Sequence, residues 1–118
     1  MVLGVAVMLA AALIFAFLAS CSEENPGAKT HVVHIRGMVF EPAAVQISPG
    51  DSITWINDDF LLHAVKSTDP KNAWQSKDLQ PRESWTRKFN QSGGYLCPYH
   101  PPMVGEIVVT ETKSAAGP

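Results

Sequence analysis

The chain has 118 residues, enough for one domain with one core. Its formal net charge is -2 and it has no basic run, so nothing electrostatic points to a nucleic-acid partner. Two cysteines leave room for at most one disulfide.

Residues 1–20 contain no charged side chain, and the apolar run stops at Ser20-Cys21-Ser22-Glu23-Glu24. This reads as an export signal, with Leu18-Ala19-Ser20-Cys21 resembling a bacterial lipoprotein cleavage box. In such a box the Cys thiol is lipidated and becomes the mature N-terminus. No Lys or Arg precedes the apolar run, which departs from the usual signal. The other reading is an uncleaved anchor, since about 20 apolar residues can span a bilayer. Both readings put the folded part outside the cytoplasm, in the periplasm or at the cell exterior, held at a bacterial membrane. A lipidated Cys21 cannot form a disulfide. Cys97 would then be a single thiol in a secreted protein, and metal ligation is its natural explanation.

Residues 21–30 include Pro26, Gly27 and several polar side chains and read as a flexible tether. A domain over residues 31–112 follows, and residues 113–118 read as a disordered tail. Within the domain, short β-rich runs alternate with turn signals, which predicts an all-β sandwich. The expected strands are His31–Arg36, Ala44–Ile47, Ser52–Ile56, Leu62–Lys66, Ser84–Phe89, Gly94–Cys97 and Gly105–Thr110, with a short piece at Met38–Phe40. Ser48-Pro49-Gly50-Asp51 is a turn: Pro presets φ at its second position and Gly accepts positive φ at the third. Ile53 and Trp55 alternate with Ser52 and Thr54, as in a half-buried strand. No stretch of 12 domain residues keeps a helical period, and Ser67 to Glu83 is the expected place for irregular structure or one helical turn.

The chemistry lies in Tyr95-Leu-Cys-Pro-Tyr-His-Pro-Pro-Met-Val-Gly105. Cys97, His100 and Met103 recur at intervals of three. Pro98, Pro101 and Pro102 lack N–H donors and exclude a regular helix, so the segment must be a tight loop on which three donors can converge. A soft thiolate, an imidazole and a thioether favour copper over calcium or magnesium. A second imidazole would complete a trigonal set with Met as weak axial ligand, and His63 supplies it from upstream. His31 and His34 are three apart on one strand, point to opposite faces and cannot chelate one ion.

With these residues in place, the chain resembles a cupredoxin, a type 1 blue copper protein of the plastocyanin/amicyanin kind. The matching features are Gly-Met-Val-Phe-Glu-Pro at 37–42, Pro-Gly-Asp at 49–51, Trp55-Ile56-Asn57, His63-Ala64-Val65 and Cys97-x2-His100-x2-Met103, in family order. The short interval from His100 to Met103 resembles amicyanin. The resemblance implies a two-sheet Greek-key β-sandwich with one copper ion, cycling between Cu(II) and Cu(I), at one end. It implies that Cys97 forms a short covalent bond to the metal, that His63 and His100 complete the plane, and that Met103 is the distant axial sulfur. Relatives often carry a polar residue just after the first His ligand; here it is Ala64, so the side chain that would brace the two ligand segments is missing.

The implied function is a single-electron carrier, not an enzyme, and a monomer that docks redox proteins near His100. Phe60, Leu61, Leu62, Pro98, Pro101 and Pro102 would form the apolar docking face. Membrane attachment would run through lipidated Cys21. The alternative is a module that buffers or delivers copper without an electron-transfer role. The expected reading of Trp55, Trp74 and Trp85 is core or near-core packing.

Overall fold

The computed structural model describes residues 26–111. The signal and lipidation expectations at 1–20 and Cys21, residues 21–25 of the tether and the tail at 113–118 lie outside the described residues.

Eight strands form two four-stranded sheets. The first contains β1 (Thr30–Arg36), β2 (Val39–Glu41), β4 (Ser52–Asn57) and β6 (Ser84–Lys88), in the order β2-β1-β4-β6. The second contains β3 (Ala44–Ile47), β5 (Lys66–Ser67), β7 (Gly93–Cys97) and β8 (His100–Val109), in the order β3-β8-β7-β5. Both sheets are mixed: β1 runs parallel to β4 and β3 parallel to β8, while the other pairings are antiparallel. The all-β sandwich expected from the sequence is therefore present.

Period-2 alternation decides which side chains face inward. Along β4 the buried positions are Ile53, Trp55 and Asn57; along β1 they are Val33 and Ile35. The opposite sheet contributes Val45, Ile47, Tyr95, Cys97 and Ile107 to the same core. Trp55 is its centre, with Trp74, Trp85, Phe89 and Tyr95 at ring-centroid separations of 5.8, 5.7, 5.8 and 5.4 Å. Such tilted and edge-on aromatic pairs contribute about 0.5–1.5 kcal/mol each beyond the area they bury.

Ser48–Asp51 closes as the sequence predicts, with the Asp51 N–H donating to the Ser48 carbonyl at 3.0 Å and Gly50 at φ 89°. The irregular stretch after Ser67 holds one 3-10 turn, Pro70–Asn72, capped by the Asp69 side chain.

Two expectations need correction. Residues 62–65 are not a strand: only Lys66–Ser67 pairs in the sheet, and His63 makes an isolated bridge to Leu79. The apolar run Leu62 to Val65 owes its burial to packing, with Ala64 and Val65 fully buried, and not to ladder pairing. The tight loop expected from Cys97 to Met103 is a hairpin turn, and the last strand begins at His100 and not at Gly105: Cys97 pairs with His100 across Pro98-Tyr99, and the next pair is Leu96 with Val104. Pro101, Pro102 and Met103 are the extra residues of the resulting bulge, where prolines are tolerated because no ladder N–H is required of them.

Candidate metal centre

The C-terminal ends of β1, β4 and β7 lie at one end of the sandwich and are joined by contacts between the segments that leave them. After β1, Gly37 and Met38 form a two-residue hairpin turn with φ 57° and 65°, while Arg36 pairs with Val39. Positive φ at both central residues is the conformation of a type I′ turn, unfavourable for Met. The carboxylate of Asp59 stabilises it. Its Oδ1 accepts the Gly37 N–H at 2.7 Å and its Oδ2 the Met38 N–H at 3.1 Å.

After β4 the chain turns under the control of Asn57, which is fully buried. The Asn57 amide donates to the carbonyls of Leu61 at 2.8 Å and Leu79 at 2.9 Å, and its Oδ1 accepts the Asp59 N–H at 2.9 Å. His63 emerges from this turn with its backbone paired to Leu79 in both directions, at 3.1 and 2.8 Å. Its ring is completely buried. Nε2 lies 2.9 Å from Asp59 Oδ2, and Nδ1 faces Cys97 Sγ at 3.8 Å.

Cys97 ends β7 and is fully buried, the free thiol among the described residues. His100 opens β8 and is half-buried, its ring centroid 5.2 Å from that of His63 at an interplanar angle of 62°. Met103 is 5% exposed and packs in the same core as Cys97. The turn between Cys97 and His100 is pinned from outside, since the Tyr99 hydroxyl donates to Asp78 Oδ1 at 2.5 Å. The Asp78 carboxylate, accepting that proton, raises the Tyr99 pKa.

The His63 and Cys97 side chains thus face each other, and the His100 ring stands beside that of His63. Among the described residues no three His, Cys, Asp or Glu side chains already close into a metal-holding group. The donor chemistry nonetheless fits copper: a buried thiol, two imidazoles and a buried thioether are the soft set that copper selects. The spacing fits as well. Donors bonded at about 2.3 Å (thiolate) and 2.0 Å (imidazole), the lengths familiar from zinc, and spread about 110–120° apart, lie roughly 3.5–3.7 Å from each other.

Asp59 is the residue that sequence reasoning missed. Burial disfavours its charge, but the amides of Met38 and Gly37 and the His63 ring outweigh that and hold its carboxyl below the usual range. No periodicity or motif marks it, because its partners come from a different hairpin and from a ring four residues on. His31 and His34 keep structural roles: His31 Nε2 meets Asp51 at 2.8 Å and His34 Nδ1 meets Asp58 at 2.6 Å.

A two-sheet sandwich that sets a buried thiol against one imidazole, with a second imidazole beside it and a buried thioether in the same core, offers donors of the kind that a soft metal ion selects. Residues 28–110 match the family model described as copper binding proteins, plastocyanin/azurin family. The chain is 39% identical to chloroplastic plastocyanin of Tetradesmus obliquus over 85 residues, 61% of this chain and 59% of that one. It therefore spans less than two thirds of that relative's length. It is 32% identical to amicyanin-alpha of Methylorubrum extorquens over 92 residues, covering 74% of this chain and 76% of the relative. The crystal structure of amicyanin from Paracoccus versutus superimposes with a TM-score of 0.64 at 26% identity, covering 69% of this chain and 81% of that one. The chain belongs to the plastocyanin/azurin family of copper-binding proteins, and is a cupredoxin in fold.

Proposed function

We propose that this protein is a single-electron carrier that holds one type 1 copper ion on His63, Cys97, His100 and Met103. The observation that carries the reading is the buried pair of Cys97 Sγ and His63 Nδ1 at 3.8 Å, set in the frame of a copper-binding family. Copper bound there supplies the one-electron couple. The protein's part is to hold the donors still. His63 is fixed by two backbone hydrogen bonds and by Asp59, and Cys97 by its place in β7. His100 is restrained by Pro101 and by the hairpin pairing to Cys97. Donors held this way rearrange little when charge changes, which lowers the reorganisation that electron transfer must overcome.

The half-buried His100 ring is the exit to solvent, and exposed apolar side chains flank the ligand segments. Phe60 is 96% exposed, Leu61 52% and Tyr99 48%, and Pro101 and Pro102 are exposed as well. This surface supports weak docking of redox proteins by a monomer. Cys21 in its cleavage box supports a lipid tether at a membrane outside the cytoplasm. Voltammetry on the purified, copper-loaded protein tests the carrier role. A reversible one-electron wave and fast exchange with a small redox protein are expected. Copper transfer to an apo-acceptor that outruns electron exchange would make it a delivery module instead.

A further inference from the structure

Two backbone N–H groups and one ring nitrogen, from two segments, converge on one carboxylate: Gly37 on Oδ1, and Met38 and His63 Nε2 on Oδ2 of Asp59. An ionised carboxylate only accepts hydrogen bonds. The 2.9 Å contact therefore requires that His63 Nε2 carry the ring proton. The neutral ring has one proton, so Nδ1, which faces Cys97 Sγ, keeps its lone pair.

We propose that Asp59 is a positioning residue that sets the His63 tautomer, leaving Nδ1 free to bind metal before any metal arrives, and that ties this ring to the Gly37-Met38 hairpin. The inference rests on His63 being a copper ligand, but the placement of the proton is a property of the metal-free chain. Asp59 also takes over part of the bracing that Ala64 cannot provide: Asn57 holds the Asp59 backbone, and Asp59 holds the ring. Asparagine cannot replace it. With its oxygen toward Met38 and His63, its NH2 opposes the Gly37 N–H. Turned over, its NH2 faces His63 Nε2 and favours the tautomer with the proton on Nδ1, against the thiol. Ligand-orienting partners of this kind typically change metal affinity about 10–100-fold when replaced.

The test is long-range 1H–15N NMR of the His63 ring in the full, metal-free protein at pH about 8, where an ordinary imidazole is neutral. The wild-type chain is expected to show the Nε2–H form alone. D59N is expected to show the Nδ1–H form appearing and Cu(I) affinity falling about 10–100-fold, with amide dispersion still native. D59E, which keeps a carboxylate, should restore the Nε2–H form. An Nδ1–H ring in the wild type would overturn the proposal whatever any variant does, and so would a folded D59N that keeps Nε2–H alone. If the wild type shows Nε2–H yet takes up no copper, the copper reading fails while the role of Asp59 stands.

Discussion

Asn57 orders the turn from which His63 emerges. It is buried, and its three side-chain hydrogen bonds go to backbone groups of Asp59 and Leu61, in the segment that presents His63, and of Leu79, which pairs with His63. Asn57→Ala leaves two carbonyls and one N–H without that partner, and each unsatisfied buried group costs about 1–3 kcal/mol. Urea unfolding should show a loss of at least about 2 kcal/mol, with Asn57→Asp only partly restoring it because a carboxylate cannot donate to Leu61 and Leu79. Met103 makes a different prediction. Replacing its thioether by the harder oxygen of Gln favours Cu(II), and each tenfold preference lowers a one-electron potential by about 59 mV. Voltammetry of Met103→Gln should show a fall of at least about 60 mV, whereas an unchanged potential would remove Met103 from the coordination sphere. The approach of His63, Cys97 and His100 was legible in the sequence because a lone thiol with two imidazoles is unusual in any other role. Asp59 was not, since one carboxylate among 11 acidic side chains carries no mark until the Gly37-Met38 hairpin is folded against it.

At the scale of elements, β7 and β8 are spaced by a glycine. A Cβ placed on Gly105 would lie 2.3 Å from the Tyr95 ring, which is wholly buried between Phe40 and Trp55 and has no room to retreat. Gly105→Ala should destabilise by about 1–3 kcal/mol or more, the range for overpacking a tight core, read as a drop in melting temperature. A second prediction concerns the junction of β1 with the turn before β4. The Asp51 carboxyl is lowered to about 2 by the N–H of Lys29, by His31 and by the N–H of Ser48, against a smaller opposing effect of burial. Its folded pKa lies below the unfolded value near 3.8, so its contribution to stability is full above that value and disappears as pH falls towards 2. The melting-temperature gap between wild type and Asp51→Asn should shrink steadily from pH 4 to 2. A gap that does not change with pH would contradict this.

Strands with clear alternation, such as β1, β3 and β4, were legible nearly to the residue. The failures share one cause. The run Leu62 to Val65 is mostly apolar, which suggests a strand, but Leu79 and Ser76 satisfy the backbone of His63 and Val65 as a loop. The prolines at 101 and 102 suggested that the last strand starts only at Gly105, while a bulge accommodates them within β8. Long-range partners decided both outcomes, and local pattern carries no record of them.

Across the whole molecule, the sandwich works as a rigid frame. One aromatic core, centred on Trp55, joins the two sheets, and three segments leaving its strands meet at one end. Asn57, Asp59 and Leu79 lock the segment bearing His63, the hairpin locks Cys97 against His100, and the apolar side chains Phe60 and Leu61 stay outside the core. The fold class was legible from strand spacing, whereas the mixed pairing of β1 with β4 and β3 with β8 was not, because parallel partners far apart in sequence leave no local signature. The central claim is that the Cys97 thiolate binds copper beside His63. Visible and EPR spectra of the Cu(II)-loaded protein, taken side by side with Cys97→Ser, test it most directly. The wild type should show intense blue absorption and the small copper hyperfine splitting of a covalent thiolate bond, both lost in the variant. A colourless wild-type complex, or a variant that stays blue, would contradict it.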